Sequence, residues 1–301
     1  MHTSVLLDEC IKYLNLKDDS IIVDCTLGFA GHSSEILKRI SNGYLYAFDQ
    51  DSEAINYSKD RLSKIAKNYE IINSNFVNIK EELEKRNILA DGILYDLGVS
   101  SPQLDEDYRG FSFHKDAILD MRMNRGQKLS AYEVVNTYSL DNLVHILKEY
   151  GEEKYAYSIA QGIVNNRPIK TTLELVDVIK ANVPERYKRG KHPARKTFQA
   201  IRIEVNDEIN VFKKSLTNAL DLLKIGGRIC VITFHSLEDK TCKEIFKSVS
   251  DIASELKKMP VIPDEYLPKY KIIKTIKPSK EEIEKNNRAR SAKLRIIERV
   301  R

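Results

Sequence analysis

The chain has no Cys-x-x-Cys pair, no long apolar run and no cluster of histidines. Its four cysteines, Cys10, Cys25, Cys230 and Cys242, are scattered through 301 residues. That scatter argues against a disulfide framework or a zinc site and for reduced, buried thiols. No metal is expected. No apolar stretch approaches the roughly 18 residues of a membrane span, so no membrane partner is expected. Met1-His2-Thr3-Ser4-Val5 lacks a basic start followed by an apolar segment, so a cytoplasmic location without a secretory signal is expected. What is present is a hydrophobic share of 42%, too high for a disordered or collagen-like chain. The length suggests one large domain or two moderate ones with a sizeable core.

The net charge of +5 is uneven. Residues 271–301 hold eleven Lys/Arg against four Glu. A second cluster, Arg186–Lys196, holds six basic residues: Arg186, Lys188, Arg189, Lys191, Arg195 and Lys196. A solvated face explains such charge, and so does a phosphate-binding surface. Charge alone does not choose.

The first hundred residues alternate short apolar runs with helical patterns. Strands are predicted at Ile21–Asp24, Tyr44–Phe48, Tyr69–Ile72 and Gly92–Asp96, with helices near Ser33–Ile40, Ser52–Lys67 and Ile79–Arg86. This predicts a parallel sheet covered by helices. Residues 105–200 read as helices at Leu129–Val135, Leu140–Tyr150, Glu152–Val164 and Thr172–Ala181, an all-helical insert. From Phe198, apolar residues at Ile201, Val205, Ile209, Phe212, Leu216, Leu220 and Leu223 trace one face of a long helix that Gly226-Gly227 is expected to stop. A fifth strand at Ile229–Phe234, a helix at Thr241–Val249 and late strands at Lys271–Lys277 and Ala292–Glu298 complete the pattern. The expected domains are 1–104 with 201–301, and 105–200.

The first strand runs into Asp24-Cys25-Thr26-Leu27-Gly28-Phe29-Ala30-Gly31-His32-Ser33. A glycine turn between strand and helix lets the backbone approach a ligand. Asp49 ends the second strand, 21 residues beyond Gly28, where nucleoside-binding folds keep a carboxylate for the ribose hydroxyls. Each feature alone also fits an ordinary turn or a solvated strand end. The loop has Gly-x-x-Gly rather than Gly-x-Gly-x-x-Gly and no basic residue, which disfavours a dinucleotide and a nicotinamide oxidoreductase. A phosphate-free nucleoside such as S-adenosylmethionine fits better. The fourth strand ends in Asp96-Leu97-Gly98-Val99-Ser100-Ser101-Pro102-Gln103, resembling the polar-plus-proline motif of methyltransferases that act on exocyclic amines. There Asp96 is a candidate acceptor for the amine, or simply a turn cap. His235, after the fifth strand, is a second candidate for taking a proton.

Further motifs are His2-Thr3-Ser4-Val5-Leu6-Leu7, Arg109-Gly110-Phe111-Ser112-Phe113, Leu119–Met123, Tyr150–Glu153, His192-Pro193-Ala194, Thr197–Ile203, Phe234–Asp239 and Arg288–Ser291. With them the chain resembles, end to end, the RsmH (formerly MraW) methyltransferases. The resemblance implies a Rossmann-like S-adenosylmethionine-dependent methyltransferase sheet with an inserted all-helical domain. It implies methylation of the exocyclic N4 of a decoding-centre cytidine (C1402) in 16S rRNA of the 30S ribosomal subunit, with no DNA substrate. It further implies that the backbone of Ala30, Gly31 and His32 holds the methionine part, Asp49 the ribose and Phe76 the adenine, with Asp96 and Gln103 completing the site. The family loop has two glycines before the histidine. Here the first is Ala30, which matters only if that position needs positive φ. The helical insert and its basic run would meet the RNA, with Phe111, Phe113, Tyr150 and Tyr155 as possible stacking partners. A non-catalytic assembly factor that binds the same cofactor has the same sequence features.

Overall fold

The computed structural model describes residues 4–98, 107–252 and 263–301. The chain divides into two compact units, one from Met1–Gly98 with Ile209–Arg301 and the other from Val99–Glu208.

The first unit is built on a seven-stranded sheet. Its strands are β1 (Ile21–Asp24), β2 (Tyr44–Asp49), β3 (Tyr69–Asn73), β4 (Ala90–Asp96), β5 (Leu223–Thr233), β6 (Tyr270–Ile276) and β7 (Lys293–Arg299). Their spatial order is β3-β2-β1-β4-β5-β7-β6. The first five run parallel, and β7 is antiparallel to both β5 and β6. Runs such as Ile21-Ile22-Val23 lack polar alternation because both faces of the sheet are covered. Val23, Ile93, Tyr95, Ile229 and Val231 enter one core. Ile22, Leu94, Cys230 and Ile232 enter the other. Among the connecting helices are α1 (Leu7–Leu14), α2 (Gly31–Leu37), α3 (Ser52–Ser63) and α4 (Ile79–Glu84). This is the parallel sheet covered by helices that the strand–helix alternation predicts, in the Rossmann-like arrangement that the family resemblance implies. The chain leaves β1 towards β2 and later returns on the other side as β4. The carboxyl ends of β1 and β4 therefore flank the switch point where open sheets bind ligands.

The long helix expected from Phe198 to Leu223 is two helices, Ala194–Asn206 and Glu208–Asp221. Asp207, at φ 49, separates them. A single left-handed residue leaves the apolar periodicity nearly in phase, and Asp is one of the few side chains that tolerate the conformation. Gly226-Gly227 is likewise not a helix cap. It lies within β5, where Ala90 pairs Leu223 and Gly92 pairs Arg228, so the four residues between are looped out. Gly226 supplies the positive φ of 82 that the irregularity requires.

The second unit is helical, with helices including Ala131–Thr137, Leu140–Glu149, Ala156–Asn165, Thr172–Ala181 and Ala194–Asn206. Two of them start in capping boxes, Ser130 with Glu133 and Thr171 with Glu174. Val134, Leu143, Leu147, Ile159, Leu175 and Ile201 are buried together in their common core. The helix expected from Glu152 begins at Ala156 instead. Glu152 is left-handed at φ 47, and buried Glu153 accepts from the Tyr155 N–H at 3.0 Å and the Tyr187 hydroxyl at 2.8 Å.

Gly43 brings β2 against the end of the preceding loop. A Cβ built there would lie 2.1 Å from the Ser20 carbonyl oxygen. Gly43→Ala must therefore displace β2 from β1, and a loss of about 2 kcal/mol or more is expected. It is checked as a lower urea midpoint at unchanged m; an unchanged midpoint would show that the strand entry yields freely.

Candidate active site

The loop from β1 to α2 is organised by Asp24, whose carboxyl is fully buried. It accepts from the Thr26 N–H at 3.0 Å, the Thr26 hydroxyl at 3.4 Å and the Ser33 hydroxyl at 2.7 Å. Burial raises its pKa, opposed by the Ser33 and Thr26 hydrogen bonds. The Thr26 hydroxyl also accepts from the Asp96 N–H at 2.6 Å, tying β4 to the loop. Asp24 and Ser33 were part of the quoted loop motif, but sequence reasoning gave them no role. Alternating polar residues around a turn were the available signal.

Gly28 is left-handed at φ 48, and its N–H donates to Asp49 Oδ2 at 2.9 Å. Asp49 Oδ1 accepts from the Asp51 N–H at 2.9 Å. Burial lifts the Asp49 carboxyl to about 6, against these backbone bonds. Ala30, fully buried, sits at φ 56 and ψ 34 at the start of α2. The condition under which the alanine matters is thus met: the position is left-handed and carries a Cβ at a cost of roughly 1–2 kcal/mol. Gly31 and His32 follow in the first helical turn, where N–H groups have no intrahelical acceptor. A Cβ on Gly31 would stand 1.9 Å from Ser4 Oγ, so the N-terminal segment closes against this turn.

His32 is 4% exposed. Its Nε2 is 3.2 Å from the Val5 carbonyl, and its Nδ1 is 3.4 Å from Asp96 Oδ2. Burial pushes the imidazole down to about 4, so it is neutral at pH 7. The Leu6 N–H donates to Glu282 Oε1 at 2.7 Å, a second tether for the N-terminal segment. Asp96 closes β4, and burial, then Asp24, then Glu238 raise its carboxyl to about 8. Asp96 Oδ1 is buried and has no hydrogen-bond partner among the described residues.

Phe76 follows β3, with its ring edge-on to Tyr95 at a centroid distance of 5.7 Å. Its carbonyl accepts from Ser215 at 2.8 Å. Gln103 lies outside the described residues. His235 follows β5, whose Ile232 carbonyl accepts from the Leu97 N–H at 3.1 Å across to the end of β4. It is the N-cap of helix Ser236–Ser250. Its Nδ1 accepts from the Glu238 N–H at 3.5 Å, and Glu238 Oε2 accepts from the Phe234 N–H at 2.7 Å. His235 Nε2 is 3.0 Å from Glu238 Oε1, yet without hydrogen-bond alignment. Its Nδ1 lone pair faces the helix start.

In the helical unit Lys188 pairs with Glu185 at 2.6 Å and Lys196 donates to the Glu152 carbonyl. Arg186, Arg189, Lys191 and Arg195 are exposed, with no ion pair among the described residues. His192 stacks on Phe113 at 4.6 Å and meets His114 at 5.3 Å, beside this basic run. Phe111 is buried, while Tyr150 and Tyr155 are partly buried against the helical core. The basic C-terminal segment is partly spent internally: Lys293 and Arg295 both bind Asp239.

The MraW methylase family model matches residues 1–300. The chain is 53% identical over 307 residues to the ribosomal RNA small subunit methyltransferase H of Exiguobacterium sibiricum, covering 100% of this chain and 98% of that one. It is 52% identical over 307 residues to the protein of the same description in Clostridioides difficile, covering 99% of each. With the match running through both units and the β1–α2 loop, the chain belongs to the MraW methylase family of S-adenosylmethionine-dependent methyltransferases.

Proposed function

We propose that this methyltransferase transfers a methyl group from S-adenosylmethionine to the exocyclic N4 of one decoding-centre cytidine, C1402, in 16S rRNA of the 30S subunit, in the cytoplasm. The observation that carries the reading is Asp96: a partly exposed carboxyl at the switch point of the sheet, with one oxygen that has no partner among the described residues. The relatives described as small subunit rRNA methyltransferases support the substrate class.

The residues fit the cofactor. The left-handed loop at Gly28 and Ala30 leads into the unpaired first-turn N–H groups of Gly31 and His32, suited to the methionine part. Asp49 spends one lone pair of each oxygen on backbone, leaving capacity for ribose hydroxyls. Phe76 offers a ring beside the adenine position, and Gln103 is assigned to the same site from the family motif. S-adenosylmethionine supplies a methyl group already activated by its sulfonium. The chain's own task is to hold, orient and desolvate. A cytosine amine is a poor nucleophile because its lone pair is conjugated with the ring. An acceptor at the partly exposed Asp96 carboxyl would take one N–H and aim the nitrogen. The N4 proton, acidic once the methyl group is on the nitrogen, leaves to solvent water. In the helical unit, the exposed cations Arg186, Arg189, Lys191 and Arg195 would meet RNA phosphates, and Phe113 with His192 is a platform for an unstacked base.

The direct test is transfer of labelled methyl to unmethylated small subunits with nuclease mapping. Label on N4 of a single decoding-centre cytidine is expected. Asp96→Ala should lower transfer by about 10²–10⁴-fold with S-adenosylmethionine affinity nearly unchanged by calorimetry. Equal loss of both would reduce Asp96 to a ligand contact.

Asp96 also makes a pH prediction. The folded carboxyl titrates near 8, whereas an unfolded aspartate titrates near 3.9. Between those values the folded chain holds a proton the unfolded chain has lost, so stability falls as pH rises. The ligand-free Asp96→Asn variant escapes this cost. Its gain in urea midpoint over the parent should be small at pH 4 and grow towards pH 8; a gain independent of pH would contradict the assignment.

Changing Arg186, Arg189, Lys191 and Arg195 together to Gln should flatten the slope of log affinity for rRNA against log salt by up to about 3. An unchanged slope would place RNA elsewhere.

A further inference from the structure

Two hydrogen-bond acceptors face each other beside the β1–α2 loop. The Val5 carbonyl can only accept, so its 3.2 Å contact with His32 Nε2 puts the imidazole proton on Nε2. Nδ1 is then a bare lone pair, 3.4 Å from Asp96 Oδ2. An ionised carboxylate would set oxygen lone pairs against the lone pair of a ring that is itself buried. An imidazolium would instead put a charge on a side chain that is 4% exposed. A protonated carboxyl removes both conflicts, because Oδ2–H can donate to Nδ1. The other oxygen, Oδ1, is the buried atom without a partner among the described residues.

We infer that His32 is a positioning residue that holds the Asp96 carboxyl as a neutral acid, with the proton on Oδ2, so that the carboxyl meets the substrate amine as an amide-like acceptor rather than as an anion. This rests on the role given to Asp96 above. The titratable groups acting on Asp96 agree. Asp24 at the end of β1 and Glu238 in helix Ser236–Ser250 are both acidic and, with burial, favour the protonated form. Cys10 of α1, buried and itself influenced by Asp96, has its thiol pKa raised well above the ordinary value. His32 on α2 is held neutral by burial. The arrangement suits the chemistry, since an amine needs direction before attack more than it needs a strong base.

An asparagine at this position reproduces both halves of the contact. Its oxygen replaces Oδ1 and its NH₂ donates to His32 Nδ1. The experiment compares Asp96→Asn and Asp96→Ala in the full chain, by methyl transfer to unmethylated small subunits and by ¹⁵N NMR of the histidine rings. Asp96→Asn is expected to lower transfer about tenfold and Asp96→Ala about a further hundredfold. His32 should show Nε2 protonated and a hydrogen-bonded Nδ1 lone pair in the parent and in Asp96→Asn, with Nδ1 shifting towards its free value in Asp96→Ala. The inference fails if Asp96→Asn is as inactive as Asp96→Ala, or if Nδ1 carries a proton in the parent. Full activity of Asp96→Ala would overturn the role of Asp96 itself, and the inference with it.

Discussion

Asp24 ends β1 with its carboxyl out of reach of water, and a buried carboxyl must find donors nearby. It finds them at both ends of the loop that follows, from Thr26 just after the strand and from Ser33 in the first turn of α2. Satisfying one buried group thus closes the loop. The same Thr26 hydroxyl accepts from the Asp96 N–H, so the chain of bonds Ser33–Asp24–Thr26–Asp96 sets the end of β4 relative to the end of β1. Each buried polar group left unsatisfied along this chain would cost about 1–3 kcal/mol. That penalty holds the switch-point crevice in one shape.

Within the loop so fixed, the backbone turns left-handed twice, at Gly28 and at Ala30. Gly28 does so without steric cost, and the Asp49 carboxylate secures it. Ala30 does so with a Cβ. Its N–H donates to the Leu27 carbonyl, and its own carbonyl takes the Ser34 N–H and hydroxyl. Strain of this kind persists only where neighbours over-determine the conformation, and it gathers at functional sites. The methyl group is buried in the same core as Ile36 and Leu37, so part of the strain is offset by apolar burial.

Strands such as β1 and β4 were legible because buried β-segments are short apolar runs between turn signals. The carboxyl ends Asp24, Asp49 and Asp96 fall where those runs stop, which is why candidate site residues could be named at all. Three things were not legible. The left-handed residue Asp207 hides inside an unbroken apolar period. Gly226-Gly227 is equally suited to ending a helix or to a looped-out strand, and only pairing with Ala90 and Gly92 decides. The tethering of the N-terminal segment by His32 and Glu282 depends on contacts across 27 and 276 residues, beyond any local pattern.

The two histidines at the strand ends show why residue type alone underdetermines chemistry. Each is buried or nearly so, and each has a carboxyl oxygen within 3.4 Å of a ring nitrogen. What separates them is where the ring's one lone pair goes. In His235 it is turned to a backbone N–H of its own helix, as the N-cap geometry demands. In His32 the carbonyl of Val5 claims the N–H, and the lone pair is left facing Asp96. The partner that a histidine's first nitrogen meets fixes the tautomer, and the tautomer fixes what the second nitrogen can do. The backbone carbonyl of Val5 thereby governs the protonation of a carboxyl at the end of β4.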